Sequence, residues 1–141
     1  MKTQLSKMIN EHFKAVESKD LNAVMNCYAD DAELIDPHYP NTTMKGKEEI
    51  HKGLTWGFNG VKSFCFTPIN YFENEEGTRA SIEYATKIEL PTGKILSYPQ
   101  VFIIETKNGK ISRCQAYETY GPHGMHNIML VVTRLKNKFL H

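Results

Sequence analysis

Tyr28-Ala29-Asp30-Asp31-Ala32-Glu33-Leu34-Ile35-Asp36-Pro37 is the stretch on which the fold turns. A helical pattern ends where it begins, and Ala32 to Asp36 reads as a short strand that Pro37 stops. Proline fixes its own φ and drives the residue before it into an extended conformation, so Asp36 has a defined backbone at the end of an element. If that strand borders a pocket, the carboxylate points into it. Asp-Pro is equally an ordinary turn opener, so its meaning depends on what surrounds it.

Upstream, Leu5, Met8, Ile9, His12, Phe13 and Val16 recur at helical spacing and predict an amphipathic helix over residues 3–18. Asp20 is a good N-cap for a second, short helix carrying Leu21, Val24, Met25 and Tyr28. Downstream, residues 37–45 form a loop, and Glu48 and Glu49 mark the first turn of a third helix, where carboxylates suit the positive end of the dipole. Ile50, Leu54 and Phe58 form its buried side.

From Val61 the period changes to two. Strands are predicted over about 62–73, 78–90, 94–106 and 110–121, separated by Glu75-Glu76-Gly77, Pro91-Thr92-Gly93 and Lys107-Asn108-Gly109. Glycine in third place favours three-residue hairpin loops, which would pair Asn74 with Thr78, Leu90 with Lys94, and Thr106 with Lys110. Even-numbered residues then share one face, among them Phe64, Phe66, Phe72, Tyr84, Thr86, Tyr98, Gln100, Phe102, Ala116, Glu118 and Tyr120. On it Tyr84 faces Gln100, Gln100 faces Ala116, Thr86 faces Tyr98, and Tyr98 faces Glu118. Such a wall, apolar with a few polar groups, is how small-molecule pockets are lined. Ile95, Val101, Ile103 and Tyr117 leave an apolar strip on the other face, as expected if it meets a second subunit. Ile128, Val132, Leu135 and Phe139 predict a C-terminal helix, either covering an opening or partner or lying free on the surface.

A chain of 141 residues is one domain by size. Its 17 basic and 16 acidic residues, a net charge of +1, are scattered without blocks, which argues against a nucleic-acid groove or a membrane anchor. No leader-like apolar run opens the chain and no membrane-length span occurs, so a cytoplasmic location is expected, with Cys27, Cys65 and Cys114 as free, buried thiols. His38 and His51 stand apart, and His123 and His126 flank Gly124-Met125, so spacing supplies no metal site.

The motif Tyr28-Ala-Asp-Asp-Ala followed by Asp36-Pro37, with Asp20-Leu21, Gly46 ahead of Glu48-Glu49-Ile50, and Asn108-Gly109-Lys110-Ile111, resembles the nuclear transport factor 2-like superfamily, which includes the SnoaL-like polyketide cyclases and the ketosteroid isomerases. The likeness covers roughly residues 5–121 of a single SnoaL-like domain. It implies an α+β, cone-shaped half-barrel: three N-terminal helices packed on a curved antiparallel sheet, joined here by the C-terminal helix, and usually a homodimer. In the isomerases the aspartate of the Asp-Pro pair moves a proton, while a tyrosine and a protonated aspartate bind the enolate oxygen. The resemblance puts Asp36 on the base, His12 on the tyrosine and Gln100 on the second aspartate. Only the base matches in residue type, and Glu118 takes a position that is apolar in the isomerases.

The expected function is acid–base chemistry on a small, largely apolar or aromatic carbonyl or hydroxyl compound, as an isomerase, cyclase or dehydratase without a cofactor. Asp36 would be the base, His12 and Gln100 would polarise the oxygen, Tyr84 or Tyr98 would orient the ligand, and Glu118, Phe102 and Trp56 would complete the site. The rival expectation is a non-catalytic carrier or sensor using the same pocket. A third is an interaction protein whose pocket is vestigial, which a pocket packed shut by Phe64, Phe66 and Phe102 would support.

Overall fold

The computed structural model describes residues 3–119 and 124–140. Thr3 caps α1 (Gln4–Glu17) by accepting the Ser6 N–H, and Leu5, Ile9, His12, Phe13 and Val16 form its buried stripe. Asp20 accepts the Ala23 N–H and starts α2 (Leu21–Asn26). Tyr28 does not end that helix, as its spacing suggested, but opens strand β1 (Tyr28–Ile35). The loop expected over residues 37–45 contains a three-residue strand, β2 (Thr43–Lys45), which folds back antiparallel on β1. Then come α3 (Gly46–Gly60), with Glu48 and Glu49 in its first turn, β3 (Ser63–Glu73), β4 (Arg79–Glu89), β5 (Ile95–Lys107), β6 (Lys110–Glu118) and α4 (Gly124–Leu140).

The six strands make one curved, unclosed sheet in the order β2-β1-β6-β5-β4-β3. All pairs are antiparallel except β1 with β6, which run side by side with Leu34 opposite Cys114 and Ile35 opposite Gln115. That parallel pair brings Asp36, just past the end of β1, to the same end of the sheet as Glu118, the last residue of β6. The core lies between the concave face and the helices, where Ile82, Ile104 and Cys114 pack with Ile9, Ile50 and Leu54.

The β4–β5 register is as the loops predict, with Tyr84 opposite Gln100 and Thr86 opposite Tyr98. The β5–β6 register is not. Asn108 and Gly109 both sit in the left-handed region (φ 53° and 75°), which is what a two-residue hairpin turn requires, and Lys107 pairs with Lys110. An irregularity between Glu105 and Thr106 adds a further shift, so Gln100 faces Glu118 and Phe102 faces Ala116. From Arg113 onward the net displacement is two residues, which keeps side chains on their expected face but exchanges their partners, whereas the one-residue offset next to the turn brings Ile111 into the core.

In β3 the correction is larger. A bulge at Ile69, directly after Pro68 with its missing N–H, reverses the alternation beyond it. Phe72 therefore leaves the concave face, pairs with Ser81 and stands 67% exposed. It joins Ile103, Val101 and Tyr117 on the outer face, since Ser81 is paired with Ile103 and Val101 with Tyr117. Cys65 is exposed and Cys27 half-buried; of the three free thiols only Cys114 is buried, as expected. On α4, Ile128, Val132, Leu135 and Phe139 are all exposed. Tyr120 and His123 lie outside the described residues. Among the described residues no helix is long and apolar enough to cross a membrane.

Candidate active site

Between the concave face and the helices lies a cavity of about 320 Å³. Phe64, Phe66 and Phe102 line it rather than fill it, with Tyr98 from β5 and Trp56 from α3. Trp56 is 55% exposed and stands at the rim near Tyr39. Among the polar side chains in the wall are His12, Asp36, His38 and Gln100. Tyr84, expected to touch the ligand, instead packs among Phe13, Phe66 and Phe102 and is not part of the lining.

Asp36 is held from both sides. Its own N–H donates to the Thr42 carbonyl at 2.9 Å, and its Oδ1 accepts the His38 N–H at 2.9 Å, so the turn after β1 is built on this carboxylate. The same turn brings the His38 ring inward. His38 Nδ1 lies 3.4 Å from Asp36 Oδ1 and in closer contact with Glu118 Oε1. Glu118 is in turn fixed by Gln100, whose Nε2 donates to Oε1 at 2.9 Å, while Gln100 Oε1 accepts from the Thr86 hydroxyl at 3.0 Å. A continuous polar row thus runs Thr86–Gln100–Glu118–His38–Asp36. Glu118 has a fully buried side chain, and its Oε2 has no hydrogen-bond partner among the described residues.

His12 is separate from this row. It shares a hydrogen bond of 3.2 Å with the Tyr28 hydroxyl, and its Nδ1 is buried without a partner among the described residues. Burial disfavours its charged form and lowers its pKa to about 4, so it is a neutral imidazole at pH 7. His38 is the opposite case. Burial also works against its charge, but the hydrogen bonds and negative charges of Asp36 and Glu118 outweigh that and raise its pKa to about 9.

Asp36, His12, Gln100, Tyr98, Phe102 and Trp56 therefore all reach the cavity, with Glu118 directly behind Gln100. His38 was missed because histidine spacing along the chain shows nothing. The available signal was Asp36 itself: an aspartate that caps the N–H two residues on pulls that residue into the turn. Among the described residues, Asp36, His38 and Glu118 each bring one donor atom within 4.8 Å of the others, an arrangement able to hold a metal ion.

Six curved strands, three helices over the concave side and a cavity between them define a half-barrel of the nuclear transport factor 2-like class. The chain belongs to the SnoaL-like domain family, whose model matches residues 9–114. It is similar in structure to an NTF2-like protein of unknown function from Burkholderia pseudomallei (TM-score 0.73, 16% identity, 83% of this chain and 92% of that one). It is similarly close to the Δ5-3-ketosteroid isomerase of Mycobacterium sp. (TM-score 0.73, 16% identity, 82% and 93%). A third is a Mycobacterium tuberculosis protein in complex with estradiol-17β-hemisuccinate (TM-score 0.72, 15% identity, 82% and 94%). No curated protein matches the sequence.

Proposed function

We propose that the protein is an enzyme that binds a small, largely apolar carbonyl or hydroxyl compound and moves a proton with Asp36 as general base, as an isomerase, cyclase or dehydratase. The observation that carries this is Asp36 itself, 8% exposed in the wall of a predominantly apolar cavity. A carboxylate there meets a substrate C–H or O–H with little competing water. The second amide hydrogen of Gln100 supplies hydrogen-bonding capacity for a substrate oxygen, and neutral His12 stands in the same wall. The ketosteroid isomerase and the steroid-hemisuccinate complex among the similar structures support a flat, mostly apolar ligand. At about 320 Å³ the cavity is at the small end for such sites, which favours a compact ligand.

The chain's one tryptophan, Trp56, stands at the rim and reports binding by its fluorescence. Asp36→Asn is expected to bind ligand within about threefold of wild type while losing roughly 10²- to 10⁴-fold in rate. The rate to follow is α-proton exchange of an enolisable cyclic ketone in D₂O. Exchange undiminished in the variant would remove Asp36 from the mechanism.

One observation favours a carrier or sensor instead: the row from Thr86 to Asp36 largely satisfies its own hydrogen bonds. A carrier would bind the ketone and co-purify with a ligand, yet show no exchange in the wild type. In either case the outer strip of Phe72, Val101, Ile103 and Tyr117 is the surface for a second copy of the chain.

A further inference from the structure

We propose that Asp36, His38 and Glu118 together bind one divalent transition-metal ion, of the zinc or manganese type, leaving an open coordination position toward the cavity. The inference deepens the proposed function and rests on it for what a bound ion would do there. Binding itself is judged from geometry and measured without a substrate.

The donor atoms converge. Asp36 Oδ1 and His38 Nδ1 are 3.4 Å apart, close to the separation of about 3.4 Å expected for two ligands 2.0–2.2 Å from a tetrahedral ion. Glu118 Oε1 meets the same nitrogen, and all three atoms fall within 4.8 Å of one another. One imidazole nitrogen carries at most one proton, and that proton cannot bond well to two carboxylates at once. An ion at the meeting point serves all three.

One carboxylate oxygen at the meeting point also lacks a partner among the described residues. Glu118 has no exposed side-chain surface, and its Oε2 is buried with no hydrogen bond among the described residues. Two carboxylates meet here, and among the described residues neither forms an ion pair with a lysine or arginine. Buried acids of this kind are found paired or coordinating metals. The surrounding shell is built accordingly. Gln100 Nε2 holds Glu118 Oε1 and Thr86 holds Gln100, while the His38 N–H fixes Asp36 Oδ1. Such outer hydrogen bonds are what orient metal ligands. One nitrogen and two carboxylate oxygens suit zinc, manganese or ferrous iron, and three protein ligands with a free position is the pattern of reactive rather than structural zinc sites.

The sequence concealed this set because its members come from a turn and from the end of β6, joined only by the parallel β1–β6 pairing. At the site, an ion would polarise a substrate oxygen bound at the open position.

The test is a calorimetric titration of metal-stripped protein with ZnCl₂, repeated with MnCl₂ and, as a hard-ion control, MgCl₂. One saturable site with micromolar or tighter affinity for zinc or manganese is expected. Glu118→Gln and His38→Ala should each weaken it at least 100-fold, Gln100→Ala by roughly 10- to 100-fold, and His51→Ala, at an exposed position, not at all. Circular dichroism checks the fold of each variant. Cobalt(II) added to the unmutated protein should produce visible d–d bands of a low-coordinate site, a readout that needs no substitution. Absence of a saturable site, absence of those bands, or binding that survives both ligand substitutions overturns the proposal. Because the probe is the metal alone, any of these outcomes leaves the role of Asp36 as a base to be decided by the ketone exchange.

Discussion

Single side chains carry opposite electrostatic tasks in this cavity. His12 is held neutral by burial, with a pKa near 4 against an ordinary 6.5. The unfolded chain takes up a proton at this residue once the pH falls below about 6.5, whereas the folded protein resists until about 4. Stability therefore rises with pH across that window and is lost as the pH falls through it, by ~3 kcal/mol at most from this residue. Urea denaturation at pH 7.5 and 4.5 should show that loss in the wild type and a correspondingly smaller one in His12→Phe. Equal losses would mean that His12 is not the group responsible. Thr86→Val makes a second residue-scale prediction: it strips the hydroxyl from Gln100 Oε1 in a buried setting and should cost about 1–2 kcal/mol in the same assay. Asp36 was legible in the sequence because proline constrains the backbone beside it. His38 was not, because its position follows from a side-chain-to-backbone bond rather than from any periodicity.

Among the elements, helices and strands were readable from hydrophobic period, while pairing was readable only where turn chemistry was unambiguous. The Pro91-Thr92-Gly93 loop gave the β4–β5 register correctly, with Gly93 left-handed as a three-residue loop needs. At Lys107-Asn108-Gly109 the same reading failed, because Asn-Gly forms a two-residue turn in which both residues take positive φ. That turn is what sets Gln100 against Glu118, so the polar row depends on it. Asn108→Val, which forces a β-branched residue into the left-handed region, should destabilise the protein by about 1–3 kcal/mol in chemical denaturation. Asn108→Gly should stay within a few tenths. If valine is tolerated as well as glycine, the turn is not of the kind described. The bulge at Ile69 and the short β2 were harder to foresee. A bulge leaves no period of its own, and three residues are too few to establish one.

For the whole molecule, the helix-roofed half-barrel was legible from element order, and the resemblance in Tyr28 to Pro37 is matched by the family assignment. The outer strip was legible in part; Phe72 enters it only through the bulge. If this strip holds two copies together, Tyr117→Asp should give monomers in sedimentation velocity, while a Trp56 fluorescence titration still shows ligand binding. A variant that remains dimeric would place the contact elsewhere. The β1–β6 pairing also has a consequence for how the protein is made. β1 leaves the ribosome well before β6, the strand it runs parallel to, so the nascent chain carries an unfinished cup until β6 has emerged. Asp36 acquires the company of Glu118 only when β6 docks beside β1, and a chain interrupted before β6 would leave that aspartate on an open wall.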